Sequence, residues 1–407
     1  MTRDRTAGFW RRAGRGVALC SVLALATGLP RVAGARAQKT VFHGMPIEPE
    51  TGIKPGQARE TIALSAAWTF SRFEAPLAGE PAAAGDRLVA ADRAGVVVAL
   101  RSADGGEAWR VRLEVPLAVG PMVFDGIVYQ GSVSGRLYAL RLEDGREIWR
   151  ADVGGAPQTP PIAVHGRLLL ATDLPELIAV DPAKGGVRQR LPLPGRPGPP
   201  TLDGAVLVVG TEHGMVLALD ALSLRVLWRR YVRHAVTAPP FLYCKRVYVA
   251  VADRTLRCLR LASGRPLWRQ RTGSTVTARL VARDDLLYAP CFDNDIYVLQ
   301  RRSGHLLGRV RLDHRLSQDA TVLGHHLFIT PFTEGAVVGL ELPGLQVAGR
   351  FHLEAPGQWF TSPPVVSGAR VAVGWGRDAG RITALDVAAG PPADAAKPAG
   401  RRPAPTH

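Results

Sequence analysis

The chain has 407 residues, enough for roughly two or three ordinary domains or for one closed all-β ring. With 46% hydrophobic and 21% charged residues, only four cysteines and no apolar run near the ~20 residues of a membrane-spanning helix, its composition excludes bulk disorder, a disulfide miniprotein and a polytopic membrane protein. Its 51 basic groups against 35 acidic ones give +16, which points to an anionic partner.

Residues 1–37 read as a cleavable export signal. Arg3, Arg5, Arg11, Arg12 and Arg15 precede an apolar stretch from Val17 to Leu29, and Ala35 and Ala37 place small residues at −3 and −1 of a cut before Gln38. The neighbours of Arg11-Arg12 fit a twin-arginine signal poorly, so the general secretory route is favoured. Cys20 opens the apolar stretch and follows Leu19, where a lipidation motif wants a small residue, which argues against a lipoprotein. Cleavage removes seven arginines and one aspartate, leaving 44 basic against 34 acidic groups, so the exported chain stays basic at +10 in the periplasm or cell envelope. Residues 38–60 form a lead segment.

From residue 61 the chain repeats. A small residue recurs at Ala99, Ala139, Ala179, Ala218, Cys258, Val298, Gly339 and Ala384, in steps of 40, 40, 39, 40, 40, 41 and 45. Ten positions further on stand Trp109, Trp149, Trp228 and Trp268, while Gln189, Gly308 and Gly349 replace Trp in three units. The second unit shows the internal order: β-rich segments Pro121–Phe124, Ile127–Gly131, Arg136–Leu142 and Glu147–Val153, divided by Asp125-Gly126, Ser134-Gly135 and Asp144-Gly145. Each unit is a four-stranded antiparallel meander that cannot bury both faces alone, so the spacing predicts an all-β, eight-bladed propeller over residues 61–387. The eighth unit never reaches its Trp before Gly390-Pro391-Pro392, whereas Trp68 precedes Ala99 by 31 residues, nearly the 30 between Trp109 and Ala139. Trp68 therefore belongs to an N-terminal strand that completes the last blade and closes the ring. Residues 388–407 are expected to be a flexible tail.

The Ala-Leu, Gly and Trp spacing, with Pro-Pro pairs at Pro160-Pro161, Pro239-Pro240 and Pro363-Pro364, resembles the PQQ-like β-propeller repeat, nearest to the BamB-like outer-membrane assembly propellers. The resemblance implies that Trp68, Trp109, Trp149, Trp228 and Trp268 dock between blades, and that blades 3, 6 and 7 pack differently. It also raises a second branch, the quinoprotein dehydrogenases, which hold pyrroloquinoline quinone and calcium on the axis beside an adjacent Cys-Cys pair. No two cysteines are adjacent here.

The residues show no catalytic apparatus, and no metal or cofactor is expected. Asp293-Asn294-Asp295 reads as a turn between second and third strands, as do the histidines His165, His213 and His325-His326 at their own turns. Cys244, Cys258 and Cys291 survive signal removal, an odd number for an exported chain. Charge is the stronger signal. Between Arg225 and Arg271 there are 12 basic residues against the single acid Asp253. Arg229, Arg230, Arg233, Lys245, Arg246, Arg254 and Arg257 are the partner-binding candidates within this sector. Ordinary solubility is the alternative explanation. Export disfavours nucleic acid as the partner and favours an acidic protein face or an anionic membrane surface. Two functions follow: a non-catalytic envelope scaffold, whose partner by resemblance is the barrel-assembly machinery, or an enzyme or sensor binding a ligand, a quinone among others, in the axial funnel.

Overall fold

The computed structural model describes residues 61–331, 335–353 and 358–389. The expected export signal, the lead segment and all but the first two residues of the expected tail lie outside the described residues.

Eight four-stranded antiparallel sheets follow one another as the blades of a propeller, as the period predicts. Blade 1 comprises Ala82–Ala84, Arg87–Ala91, Val96–Arg101 and Glu107–Arg112. Blades 2 to 7 repeat this order over 122–152, 162–192, 201–231, 241–271, 281–311 and 321–352. Blade 8 takes Val365–Ser367, Arg370–Trp375 and Arg381–Ala389, and its fourth strand is Ile62–Phe70 from the other end of the chain. Trp68 lies opposite Ala384 in that pairing, which runs from Ile62↔Ala389 to Phe70↔Ile382.

Local chemistry explains the hairpins. Asp125 and Gly126 both have positive φ, 50° and 70°, the pairing that a two-residue turn needs to match the right-handed twist of its strands. The third strands are buried on both faces because each sheet is sandwiched between two others, whereas the outer strands alternate exposed and half-buried residues. The core is accordingly a series of wedges between blades. One joins Val89, Val97 and Ala99 of blade 1 to Val128, Tyr138 and Leu140 of blade 2.

The tryptophans sit at the rim of these wedges. The indole N–H of each of the five expected docking tryptophans donates to a backbone carbonyl of the next blade: Trp68 to Ser102 at 3.1 Å, Trp109 to Leu142 at 2.7 Å, Trp149 to Pro182 at 2.9 Å, Trp228 to Leu261 at 2.6 Å and Trp268 to Arg301 at 3.1 Å. The ring lies flat on a glycine in the same turn; a Cβ on Gly145 would come within 2.6 Å of Trp109.

Blades 3, 6 and 7 pack differently, each for a visible reason. Opposite Gln189 and Gly308 the glycine of the next blade is replaced by Leu224 and Leu345, both at φ 56°. These leucines are fully buried in the wedges of blades 3 and 4 and of blades 6 and 7, so the apolar group comes from the other side of the joint. Opposite Gly349 stands the closing strand itself: a Cβ there would meet the Ile62 carbonyl at 2.5 Å.

Candidate functional site

The blades have two distinct faces. One carries the turns between second and third strands together with the inter-blade connections, as the 2.9 Å bond from Thr272 N to Arg254 O shows; the other carries the remaining turns, as with Leu261 N to Lys245 O at 3.1 Å. We call them the upper and lower faces.

An axial cavity of about 610 Å³ is lined by the innermost strands and by the proline pairs that lead into them, among them Pro160, Pro161, Pro199 and Pro200. Its ionisable lining is Glu80, Arg279 and Asp319. Asp319 is committed to Arg279, whose backbone N–H reaches Oδ1 at 2.5 Å and whose Nε lies 3.5 Å from Oδ2. Glu80 is reached by water through the cavity but is walled in by protein. This desolvation pushes its carboxyl up to about 7, Arg279 pulling it down and Asp319 adding to the rise. The lining does not fit a calcium-held quinone. Among the described residues no group of three acids, histidines or cysteines converges on a metal-sized site. Cys258 and Cys291 belong to the wedge between blades 5 and 6, where burial pushes both thiols up to about 11. Asp293 accepts from Tyr297 Oη at 2.7 Å and Asp295 from Arg311 at 2.8 Å, so the Asp293-Asn294-Asp295 turn is occupied internally.

The basic sector is confined to blades 4 and 5 but divides across the disc. Arg233 and Arg254 are exposed on the upper face, where the segment after Arg233 runs against the turn before Arg254 through Ala252 N to Ala235 O at 2.9 Å. Lys245 and Arg246 lie on the lower face, and Arg229 and Arg230 lie on the outer strand. Three arginines are engaged internally. Arg230 donates to Gly264 O at 3.0 Å and Arg246 to Arg302 O at 2.9 Å, while half-buried Arg257 holds Asp253 at 2.6 Å. Arg269 joins the same carboxylate at 3.0 Å. Burial opposes the charge on Asp253, but the bonds from Thr255 and Arg257 outweigh it and hold the carboxyl below its usual range. Among the described residues Arg225, Arg229, Arg233, Lys245 and Arg254 have no acidic partner.

The sequence pattern did not single out the Glu80, Arg279 and Asp319 group. Its one signal is position: Glu80 stands immediately before Pro81 at the entrance to a first strand, and Asp319 lies 40 residues after Arg279.

The family model described as outer membrane protein assembly factor BamB matches residues 62–198 and 175–338. No curated protein sequence matches the chain. Among solved structures, BamB from Moraxella catarrhalis superposes with a TM-score of 0.67 at 19% identity, covering 80% of this chain and 98% of that one. The computationally designed Ika8 protein gives 0.65 at 14% identity, over 78% and 99%. The quinohemoprotein alcohol dehydrogenase of Comamonas testosteroni gives 0.67 at 13% identity, over 79% and 76%. At such identities these likenesses establish the fold alone, which hosts both assembly factors and dehydrogenases. The family match extends across most of the ring, and on it the chain belongs to the family of outer membrane protein assembly factor BamB.

Proposed function

We propose that this chain is a non-catalytic scaffold of the cell envelope that holds another protein during outer-membrane protein assembly. The observation that carries the reading is the cluster of exposed arginines on blades 4 and 5 that have no carboxylate partner among the described residues, on a ring whose outer strands bear ion-paired arginines in blades 1, 2, 3, 6 and 7. Uncompensated charge concentrated in one sector steers an oppositely charged partner and fixes its orientation, and rigid wedges between blades preserve that geometry. The family description supplies the class of process, and the expected export signal supplies the compartment.

The test is genetic and biochemical. Cells lacking the chain should hold less folded outer-membrane barrel protein, read as the heat-modifiable band on gels, and a copy carrying Arg229→Glu, Arg230→Glu and Arg233→Glu should restore it incompletely. Wild-type barrel levels in the deletion strain would overturn the reading.

A further inference from the structure

The outer strand of blade 4, Val226–Tyr231, pairs on its inner side with Met215–Asp220 and, among the described residues, has no strand on its outer side. Unpaired strand edges invite further pairing, so proteins blunt them with charge, proline or bulges. Every blade except blade 4 places a polar residue or proline three positions beyond the Trp or its replacement: Arg112, Asp152, Pro192, Arg271, Arg311 and His352, with Ser71 in the closing segment. Blade 4 places Tyr231 there, 60% exposed. Val226 and Leu227 are 47% and 52% exposed on the same strand, and Leu222 in the preceding turn is 57% exposed. Among the described residues no other outer strand presents more than one large exposed apolar side chain. A bulge at Leu227 is shared in kind with the other blades and does not distinguish this one. Beyond it, Arg229 and Tyr231 are two residues apart and so share one face of the strand.

Charge sharpens the contrast. Among the described residues, the outer-strand arginines Arg110, Arg150, Arg188, Arg269, Arg311 and Arg350 each face a carboxylate of their own ring, whereas Arg229 on the strand and Arg225 at its start face none, a state shared on the outer strands by Arg271 of the adjoining blade 5. An apolar edge flanked by uncompensated guanidinium groups is complementary to a strand that alternates acidic and apolar side chains.

We propose that this edge captures an extended acidic segment of a partner protein as a fifth strand of blade 4. Backbone hydrogen bonds form along Trp228–Tyr231, a carboxylate meets Arg229, and apolar side chains cover Leu227 and Tyr231. The inference rests on the scaffold reading and gives its partner a chemistry.

The probe is a fluorescent nine-residue peptide alternating Glu with Val, titrated into the full exported chain at low salt and followed by anisotropy. Binding should weaken about tenfold or more with Arg229→Glu, and likewise with Tyr231→Asp, since a lost charge pair or buried aromatic contact is worth about that factor. Circular dichroism establishes that each variant is folded, and a peptide N-methylated at alternate residues should bind at least tenfold less tightly than its parent. Hydrogen exchange should show new protection within Val226–Tyr231. Three results would overturn the proposal: equal binding of the N-methylated peptide, which means charge attraction alone; protection on another blade; or no peptide binding with capture of phosphatidylglycerol vesicles instead. These outcomes are read on purified protein and are independent of the barrel levels that judge the scaffold reading.

Discussion

At the scale of single residues, the joints between blades use one slot that either partner can fill. Where Trp fills it, the opposing turn carries glycine; where Gln189 or Gly308 leaves it vacant, the turn supplies Leu224 or Leu345. A leucine held at positive φ is strained by about 1–2 kcal/mol, and burying its side chain offsets that strain. Leu224→Gly should therefore destabilise the ring by about 2 kcal/mol, the cavity outweighing the relieved backbone. Gln189→Trp alone should also destabilise, because its ring and Leu224 compete for the same space. The double variant rebuilds the arrangement of Trp109 on Gly145 and should return to within about 1 kcal/mol of the parent in urea unfolding. Additive losses would show that the slot is not shared. Glu80 offers a second residue-level test, in pH. Its carboxyl holds its proton more tightly in the folded ring, at about 7, than at the ordinary 4.5. The folded state thus binds more protons within that window, and stability falls as pH rises through it. Glu80→Gln removes the titration, so the drop in Tm from about pH 5 to about pH 8 should shrink. Superimposable pH profiles would refute it.

At the scale of elements, the sequence pattern reaches far but not everywhere. The forty-residue step, the turn pairs and the phase of Trp68 predict the four strands of every blade and the closing strand, because hydrophobic alternation and turn chemistry are local and repeat eight times. The second blade illustrates the accuracy: Ile127–Gly131 is found at its expected limits, and the expected fourth segment Glu147–Val153 ends one residue earlier, at Asp152. The compensations were not legible. Gln189 is visible as a missing Trp, but Leu224 answers it one blade later, and only the packed joint connects them. Gly349 is glycine because Ile62, 287 positions away in the chain, occupies the space beside it. The axial group failed for the same reason: Glu80 and Arg279 lie far apart in sequence, and the ring alone brings both into one cavity. The basic sector was legible as a stretch of sequence but not as a surface. Strand direction sends Lys245 and Arg254 to opposite faces, and Asp253 absorbs Arg257 and Arg269.

At the scale of the whole molecule, closure is a property of the ring and not of where the chain happens to start. Ile62 and Ala389 are sheet partners, so the first and last strands of the ring are already one hairpin turn apart. A two-residue Asn-Gly turn suits such a junction, since both residues accept the positive φ that the strand twist requires. The chain can then be opened between Leu222 and Ser223, an exposed third-to-fourth-strand turn in blade 4. That cut makes Val226–Tyr231 the N-terminal closing strand, the same three-plus-one arrangement that blade 8 has in the native order. Every wedge between blades is kept, and the covalent turn in blade 8 removes loop-closure entropy that the cut in blade 4 restores. The permuted ring should therefore show the parent's circular dichroism and unfold in a single transition with Tm within about 5 °C of it. Loss of the folded spectrum, or separate unfolding of two arcs, would mean that sheet pairing alone does not hold Val226–Tyr231 as a closing strand and that closure depends on where the chain is opened.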